Sequence, residues 1–160
     1  PHVLMQVHHI SPQHYGWIFG SNALGLIAAS QLNARLLRHY DLNWLLNRGV
    51  ATAALSGSGL ALFALFDWLS LPVLLAGLFI FITSLGFISP NASAAALAHQ
   101  GHRAGTASAL MGAIQFALAT LAGACMSIWH DGSAMPLAIF MGVCGVGAWG
   151  LLRTKASRTS

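Results

Sequence analysis

Five long runs of apolar residues, separated by short polar stretches, dominate the chain. They cover residues 15–32, 49–66, 71–97, 104–129 and 135–152. A helix needs roughly 20 apolar residues to cross the hydrocarbon core of a bilayer, and each run lies close to that length. None of the runs alternates in the way that membrane β-strands do. The pattern therefore predicts an all-α membrane protein with about five complete transmembrane helices.

The opening segment, PHVLMQVHHI, is apolar but too short to cross a membrane. We expect it to be the tail of a sixth helix that begins before this chain. This interpretation predicts a transmembrane bundle over residues 1–152 and a short basic tail over residues 153–160.

The composition supports a membrane environment. Hydrophobic residues make up 56% of the chain and charged residues only 6%, whereas soluble domains carry about 25% charged residues. The net charge of +4 does not indicate nucleic-acid binding, because the basic residues lie between apolar runs instead of clustering on one soluble face. The expected partner of this surface is therefore the lipid bilayer.

The basic residues also predict how the helices are oriented. All seven lie in alternate loops or in the tail: Arg35, Arg38, Arg48, Arg103, Arg153, Lys155 and Arg158. Positively charged loops face the cytoplasm. We therefore expect a cytoplasmic C-terminus, with the polar island HQGHR, residues 99–103, forming a tight cytoplasmic turn.

The run that begins at residue 104 carries a face of small and polar residues. Gly105, Ser108, Gly112 and Gln115 recur every three or four residues and so share one side of a helix. Small residues allow helices to approach closely, which favours a packing surface. A carboxamide in hydrocarbon needs a partner or a wet cavity, which favours a binding role for Gln115. Both interpretations stay open.

The first complete helix has a similar face, which includes Asn22, Ala29 and Asn33. Asn22 is expected either to hydrogen-bond to another helix or to contact a ligand. Asn33 is expected in the following loop, taken as residues 30–49. The arginines of that loop, Arg35 and Arg38, act as orientation signals or pair with loop acids to close a cytoplasmic gate.

Catalytic and metal sites are not indicated. No Asp, Glu, Lys or Arg lies in the middle of any apolar run, and the eight histidines have no ligand spacing. An intramembrane enzyme would need a nucleophile with a base, a metal set or paired carboxylates. We therefore expect neither an enzyme nor a bound cofactor or metal.

Two stretches carry a family resemblance. The run ISPQHYGWIFGSNALGLIAASQLNARLLRHYD and the run SPNASAAALAHQGHRAGTASALMGAIQFALATLAGA resemble Bcr/CflA-type drug-resistance transporters of the major facilitator superfamily. They resemble the segments around that family's seventh to eighth and tenth to eleventh helices. The second includes the PNA and AGTASAL elements and a glutamine followed by phenylalanine.

The resemblance implies the carboxyl-terminal half of a twelve-helix efflux protein of the bacterial inner membrane, without its amino-terminal six-helix half. Such proteins exchange small drugs or metabolites for protons. Asn22 and Gln115 would line the substrate cavity, and Asn33, Arg35 and Arg38 would match a cytoplasmic gating loop. Two positions depart from the pattern: Asp41 replaces a common glycine, and His2 a common aromatic residue. A structural or accessory membrane subunit, or a non-functional fragment, is the alternative.

Overall fold

A computed structural model describes residues 12–66, 68–98, 100–128 and 135–158 of the chain. Within these ranges it contains helices and no strand, so the predicted all-α membrane fold is confirmed. The expected tail of a sixth helix, residues 1–10, lies outside the described residues. A single 3₁₀ turn, Gly101–Arg103, joins the third and fourth helices. The five α-helices are α1 (Pro12–Leu36), α2 (Leu42–Leu65), α3 (Leu71–Leu97), α4 (Ala104–Ile128) and α5 (Met135–Arg158).

The connection between α1 and α2 is much shorter than the sequence suggests. Helix α2 begins at Leu42, seven residues before the predicted start at residue 49. Leu45 and Leu46 are buried against the bundle, at 2% and 7% exposure, so this polar-looking stretch also has an apolar face. Only residues 37–41 lie outside the helices. The placement of Asn33 in the loop is therefore wrong, because this residue lies in the last turns of α1.

Four of the helical segments are long and apolar enough to cross a membrane: Leu42–Leu65, Leu71–Leu97, Gly101–Ser127 and Met135–Thr154. Helix α1 has sufficient length, with 25 residues. Its hydropathy is lower because serine, glutamine and two asparagines interrupt its apolar residues. Helix α5 continues through the predicted boundary at residue 152 as far as Arg158, so the first residues of the basic tail are helical.

Helix α2 lies at the centre of the bundle, between α3 and α5. Glycines permit the close approach to α5. A Cβ atom added to Gly57 would lie 2.6 Å from the Met141 carbonyl oxygen, and one on Gly145 would lie 2.8 Å from Ala54 Cα. Backbones this close require residues without side chains. An apolar cluster of five buried residues consolidates the same region: Leu60, Ala64, Leu74, Ala138 and Met141.

Helix α4 is the peripheral element of the structure. It follows α3 after the tight turn at Gly101, whose φ of +42° is a conformation that favours glycine. None of its membrane-spanning residues is buried, and it makes few contacts with the rest of the bundle. Residues 100–103 of the predicted HQGHR turn do form a turn, and it leads into a helix that packs against almost nothing in the described part of the chain.

Candidate functional site

The arginines gather at one end of the bundle. Helices α1 and α3 run parallel, because Gly25 lies beside Thr83 and Asn33 lies beside Asn91. The corresponding contacts show that α2 runs antiparallel to both α3 and α5. The C-terminal ends of α1, α3 and α5 thus lie at the same end as the start of α2. We call this the arginine end, after five of the basic residues found there: Arg35, Arg38, Arg48, Arg103 and Arg153.

The α1–α3 contact uses the α1 face that the sequence singled out. A Cβ atom added to Gly86 would lie 2.7 Å from both Ala29 Cβ and the Leu26 carbonyl oxygen. The same face brings Asn33 against α3 four residues after Ala29. The structure thus gives α3 as the partner of Ala29 and Asn33 on this face.

Asn33 and Asn91 form a reciprocal amide pair near the arginine end. Asn91 Nδ2 donates to Asn33 Oδ1 at 2.7 Å, and Asn33 Nδ2 donates to Asn91 Oδ1 at 3.3 Å. Both side chains are buried, at 1% and 2% exposure. An amide left without partners in an apolar interior is costly, so each asparagine satisfies the other. The pair fastens α1 to α3.

Thr83 adds an unsatisfied group to the same interface. Its Oγ1 atom is buried and has no hydrogen-bond partner among the described residues. It faces Gly25, where an added Cβ atom would lie 2.6 Å away. The hydroxyl is therefore enclosed between the helices. Leaving such a group unpaired costs about 1–3 kcal/mol.

The two predicted substrate-binding residues are not brought together. Asn22 is half-buried, three residues before Gly25 and on the α1 face that packs against α3. Gln115 is exposed on α4, which shares no substantial contact with α1. Their common binding role therefore stays a prediction, and Asn22 lies where an interhelical hydrogen bond would also be possible.

The small-residue face of α4 has no partner in the described residues. Gly105 and Ser108 are exposed, and Gly112 is half-buried. A Cβ atom added to Gly105 or Gly112 would meet nothing within 4 Å. The described contacts therefore do not decide whether this face packs against another helix or lines a cavity.

The two predicted gate arginines are accessible and form no ion pair with an acid in the described structure, whereas Asn33 is buried. Arg35 and Arg38 are exposed near the end of α1, and neither forms an ion pair with Asp41 in the described structure. Asp41 instead occupies the N-cap position of α2 in an extended conformation. A carboxylate at this position interacts favourably with the positive end of the helix dipole and so stabilises the start of α2. The gating role of Asn33, Arg35 and Arg38 remains a prediction.

Arginine–tryptophan contacts were not foreseen from the sequence. The Arg48 guanidinium lies 5.1 Å from the ring centroid of Trp44, which stacks on Tyr40 at 4.7 Å. Arg153 lies in the same way over Trp149, at 4.5 Å. Each pair has a spacing of four residues, which places both side chains on one helix face. That spacing was the available signal.

A cavity of about 310 Å³ adjoins Arg48. It lies between the end of α1, the first half of α2 and the middle of α3. Its lining is largely apolar and consists of Leu36, Trp44, Leu45, Arg48, Gly49, Thr52, Phe79, Ile80, Thr83, Ser84 and Phe87. No group of three or more metal-ligating side chains occurs in the residues described, and Cys125 and Cys144 are free thiols.

The chain is similar over most of its length to two curated transporters. It is 31% identical over 144 residues to the bicyclomycin resistance protein homolog of Haemophilus influenzae, a match that covers 90% of the chain. It is 29% identical over 146 residues, or 91% of the chain, to the uncharacterized MFS-type transporter YdgK of Bacillus subtilis. The resemblance to Bcr/CflA-type transporters is confirmed.

The chain spans 36% of the length of each of these relatives. No protein-family model matches it, and no solved structure matches it. The similarity therefore covers nearly all of this chain and about a third of each relative.

Proposed function

We propose that the chain is the carboxyl-terminal half of a transporter that exports small drugs or metabolites by alternating access. Similarity to two transporters over nine-tenths of the chain carries this proposal, and one of them is named for resistance to a drug. Transporters of this kind move one helical bundle against another around a site near mid-membrane. Protons are the proposed exchanged ion, and the proposed location is the bacterial inner membrane with a cytoplasmic C-terminus.

The unpacked state of α4 supports a partner outside this chain. A membrane helix gains stability by packing small residues against a neighbour, and α4 presents Gly105, Ser108 and Gly112 with nothing against them. The chain also spans only 36% of its relatives. An amino-terminal six-helix half, packed on this face, would provide both the missing length and the missing contact.

Specific roles follow for the side chains. Gln115 is an exposed carboxamide on an apolar helix, so it would face the wet cavity between the halves and bind substrate together with Asn22. Arg35 and Arg38, with Asn33 behind them, would close the cytoplasmic side. No covalent chemistry is required of any residue. The partners are a small-molecule substrate, the bilayer and the other half.

Efflux by the full-length gene tests this proposal. We would express the gene in a bacterial strain without its main exporters, and measure accumulation of a panel of amphipathic drugs with and without a proton uncoupler. We expect lower accumulation than in the empty strain, and loss of that difference when the uncoupler is added. Gln115→Leu should reduce the efflux rate at least tenfold.

Thr120→Val is the matched control. Thr120 is exposed on α4, and its hydroxyl bonds to the Phe116 carbonyl of its own helix at 2.9 Å. Its replacement should change efflux less than twofold. Normal efflux by Gln115→Leu would remove that residue from the proposed site. A full-length gene that is expressed and exports nothing would favour the accessory-subunit alternative.

A further inference from the structure

The cavity beside Arg48 opens on the outer surface of the bundle. Several of its lining residues are exposed, among them Trp44 and Thr52 on α2 and Phe79 and Ile80 on α3. Since α2 and α3 are long and apolar enough to cross the membrane, their exposed apolar side is suited to contact with lipid. The cavity contains neither Asn22 nor Gln115 in its lining. It is therefore a groove separate from the proposed substrate site.

The charge at this end of the bundle favours an anion. Arg48 is exposed and forms no ion pair in the described structure, and its contact there is the ring of Trp44. The chain contains only three side-chain carboxylates, and the one at this end, Asp41, is outnumbered by the arginines of the neighbouring helix ends and turns: Arg35, Arg38, Arg48 and Arg103. Arg48, at the arginine end of the groove, thus carries a positive charge that no ion pair in the described structure neutralises.

The groove is charged at its entrance and apolar further in, which is also the order of headgroup and acyl chain in a phospholipid. Arg48 is the seventh residue of α2, about 10 Å along the helix from its start. Its guanidinium turns back towards Trp44, nearer the helix end, as basic side chains do at a membrane surface. From Phe87 to Phe79 the apolar lining continues about 12 Å deeper, at 1.5 Å per residue. A charged entrance thus leads into an apolar channel.

We propose that this groove binds an anionic phospholipid. The headgroup phosphate contacts the Arg48 guanidinium, and an acyl chain lies along Phe79, Ile80 and Phe87. Tryptophan and tyrosine occupy the level of the lipid headgroups in membrane proteins, which is where the stacked Tyr40 and Trp44 lie in this arrangement. Basic pockets between transmembrane helices bind anionic headgroups. The site does not depend on the transport function.

Arg153 provides a matched control for Arg48. It is exposed at the same end and lies over a tryptophan ring at a similar distance, 4.5 Å against 5.1 Å. Neither Arg153 nor Trp149 lines the groove. Removing either arginine lowers the net charge equally, so any difference between the two variants reports on the groove and not on general attraction to an anionic membrane.

Lipid retention tests the proposal. The purified chain would be exchanged from vesicles of equal phosphatidylglycerol and phosphatidylcholine into detergent, and retained lipids counted by native mass spectrometry. We expect preferential retention of one phosphatidylglycerol, with at least a fivefold loss in Arg48→Gln and less than a twofold change in Arg153→Gln. Circular dichroism would establish that both variants keep their helices.

A second variant tests the apolar part. Thr52→Phe should fill the groove and release the lipid although the charge at Arg48 is unchanged. Quenching of Trp44 fluorescence by brominated phosphatidylglycerol, obtained as the difference between the wild-type chain and Trp44→Phe, should decline in parallel. Equal effects of the two arginine variants, or equal retention of both lipids, would overturn the proposal. Displacement of phosphatidylglycerol by an amphipathic drug would also overturn it, in favour of a drug site.

Discussion

Helices α2 and α4 are alike in sequence and different in their surroundings. Both are apolar, both have 24 or 25 residues, and both carry three glycines. In α2, Gly49 and Gly57 lie against α3 and α5, with added Cβ atoms at 3.0 and 2.6 Å from their neighbours. In α4, no glycine has anything within 4 Å. Small residues thus show where a helix is able to pack closely, but the partner depends on the rest of the molecule.

The difference arises from complementarity. Helix α5 meets α2 with its own glycines, Gly142 and Gly145, so the two backbones interlock without side chains between them. No surface among the described helices offers α4 such a match. The amino-terminal half proposed above would supply a contact that buries α4.

The largest effect is expected at Gly57. In Gly57→Ala the new methyl group would meet the backbone of Met141 at 2.6 Å, which flexible side chains cannot relieve. Overpacking of this kind costs about 1–3 kcal/mol. Gly59→Ala is the control, since nothing lies within 4 Å of that position on the same helix. Unfolding in mixed micelles should show a lower stability for Gly57→Ala alone, and equal stability of the two variants would contradict the α2–α5 packing.

The amide pair should give the next largest effect. Asn33→Leu leaves Asn91 buried without its partner, which costs about 1–3 kcal/mol. Asn91→Leu should cost a similar amount, whereas the double variant should recover most of the loss because no unpaired amide remains. A double-mutant cycle on unfolding free energies measures the coupling between the two amides. Simple additivity of the two single variants would show that the amides do not interact.

Labelling of α4 tests whether its face has a partner in the longer protein. With Cys125 and Cys144 replaced by alanine, Ser108→Cys should react readily with a thiol reagent in this chain, because the position is exposed. In the full-length protein we expect the rate to fall severalfold. An unchanged rate would mean that no other element covers this part of α4.

The smallest effect is expected at Gly112. In this chain Gly112→Ala should cause no loss of unfolding free energy, because nothing lies within 4 Å of the added methyl group and alanine favours a helix over glycine by up to about 1 kcal/mol. The same variant in the full-length protein should be destabilising if the amino-terminal half packs there. A large loss of unfolding free energy in the isolated chain would contradict the difference in packing between α2 and α4.

The local pattern of apolar and polar residues predicts where the helices lie, but it does not predict which helices contact one another. The predicted limits of α3, residues 71–97, are those observed, since Ser70 and Pro72 mark its start and polar residues its end. The predicted start of α2 is too late, because the polar residues Asn43, Asn47 and Arg48 interrupt the apolar run to which the buried Leu45 and Leu46 belong. The pairing of Asn33 with Asn91 was not predicted, because Asn33 was assigned to the loop and a contact across 58 residues depends on tertiary structure. Whether Asn22 and Gln115 share a site is equally beyond local pattern.

The amide pair also fixes the register of α1 against α3. A shift of α1 along α3 by one helical turn, about 5.4 Å, would separate Asn33 from Asn91. It would also move Ala29 away from Gly86, where the absence of a side chain makes room for it. Any rearrangement that keeps the pair must therefore carry α1 and α3 as one rigid body. Motion of α4 relative to that body is then concentrated in the short joint around Gly101.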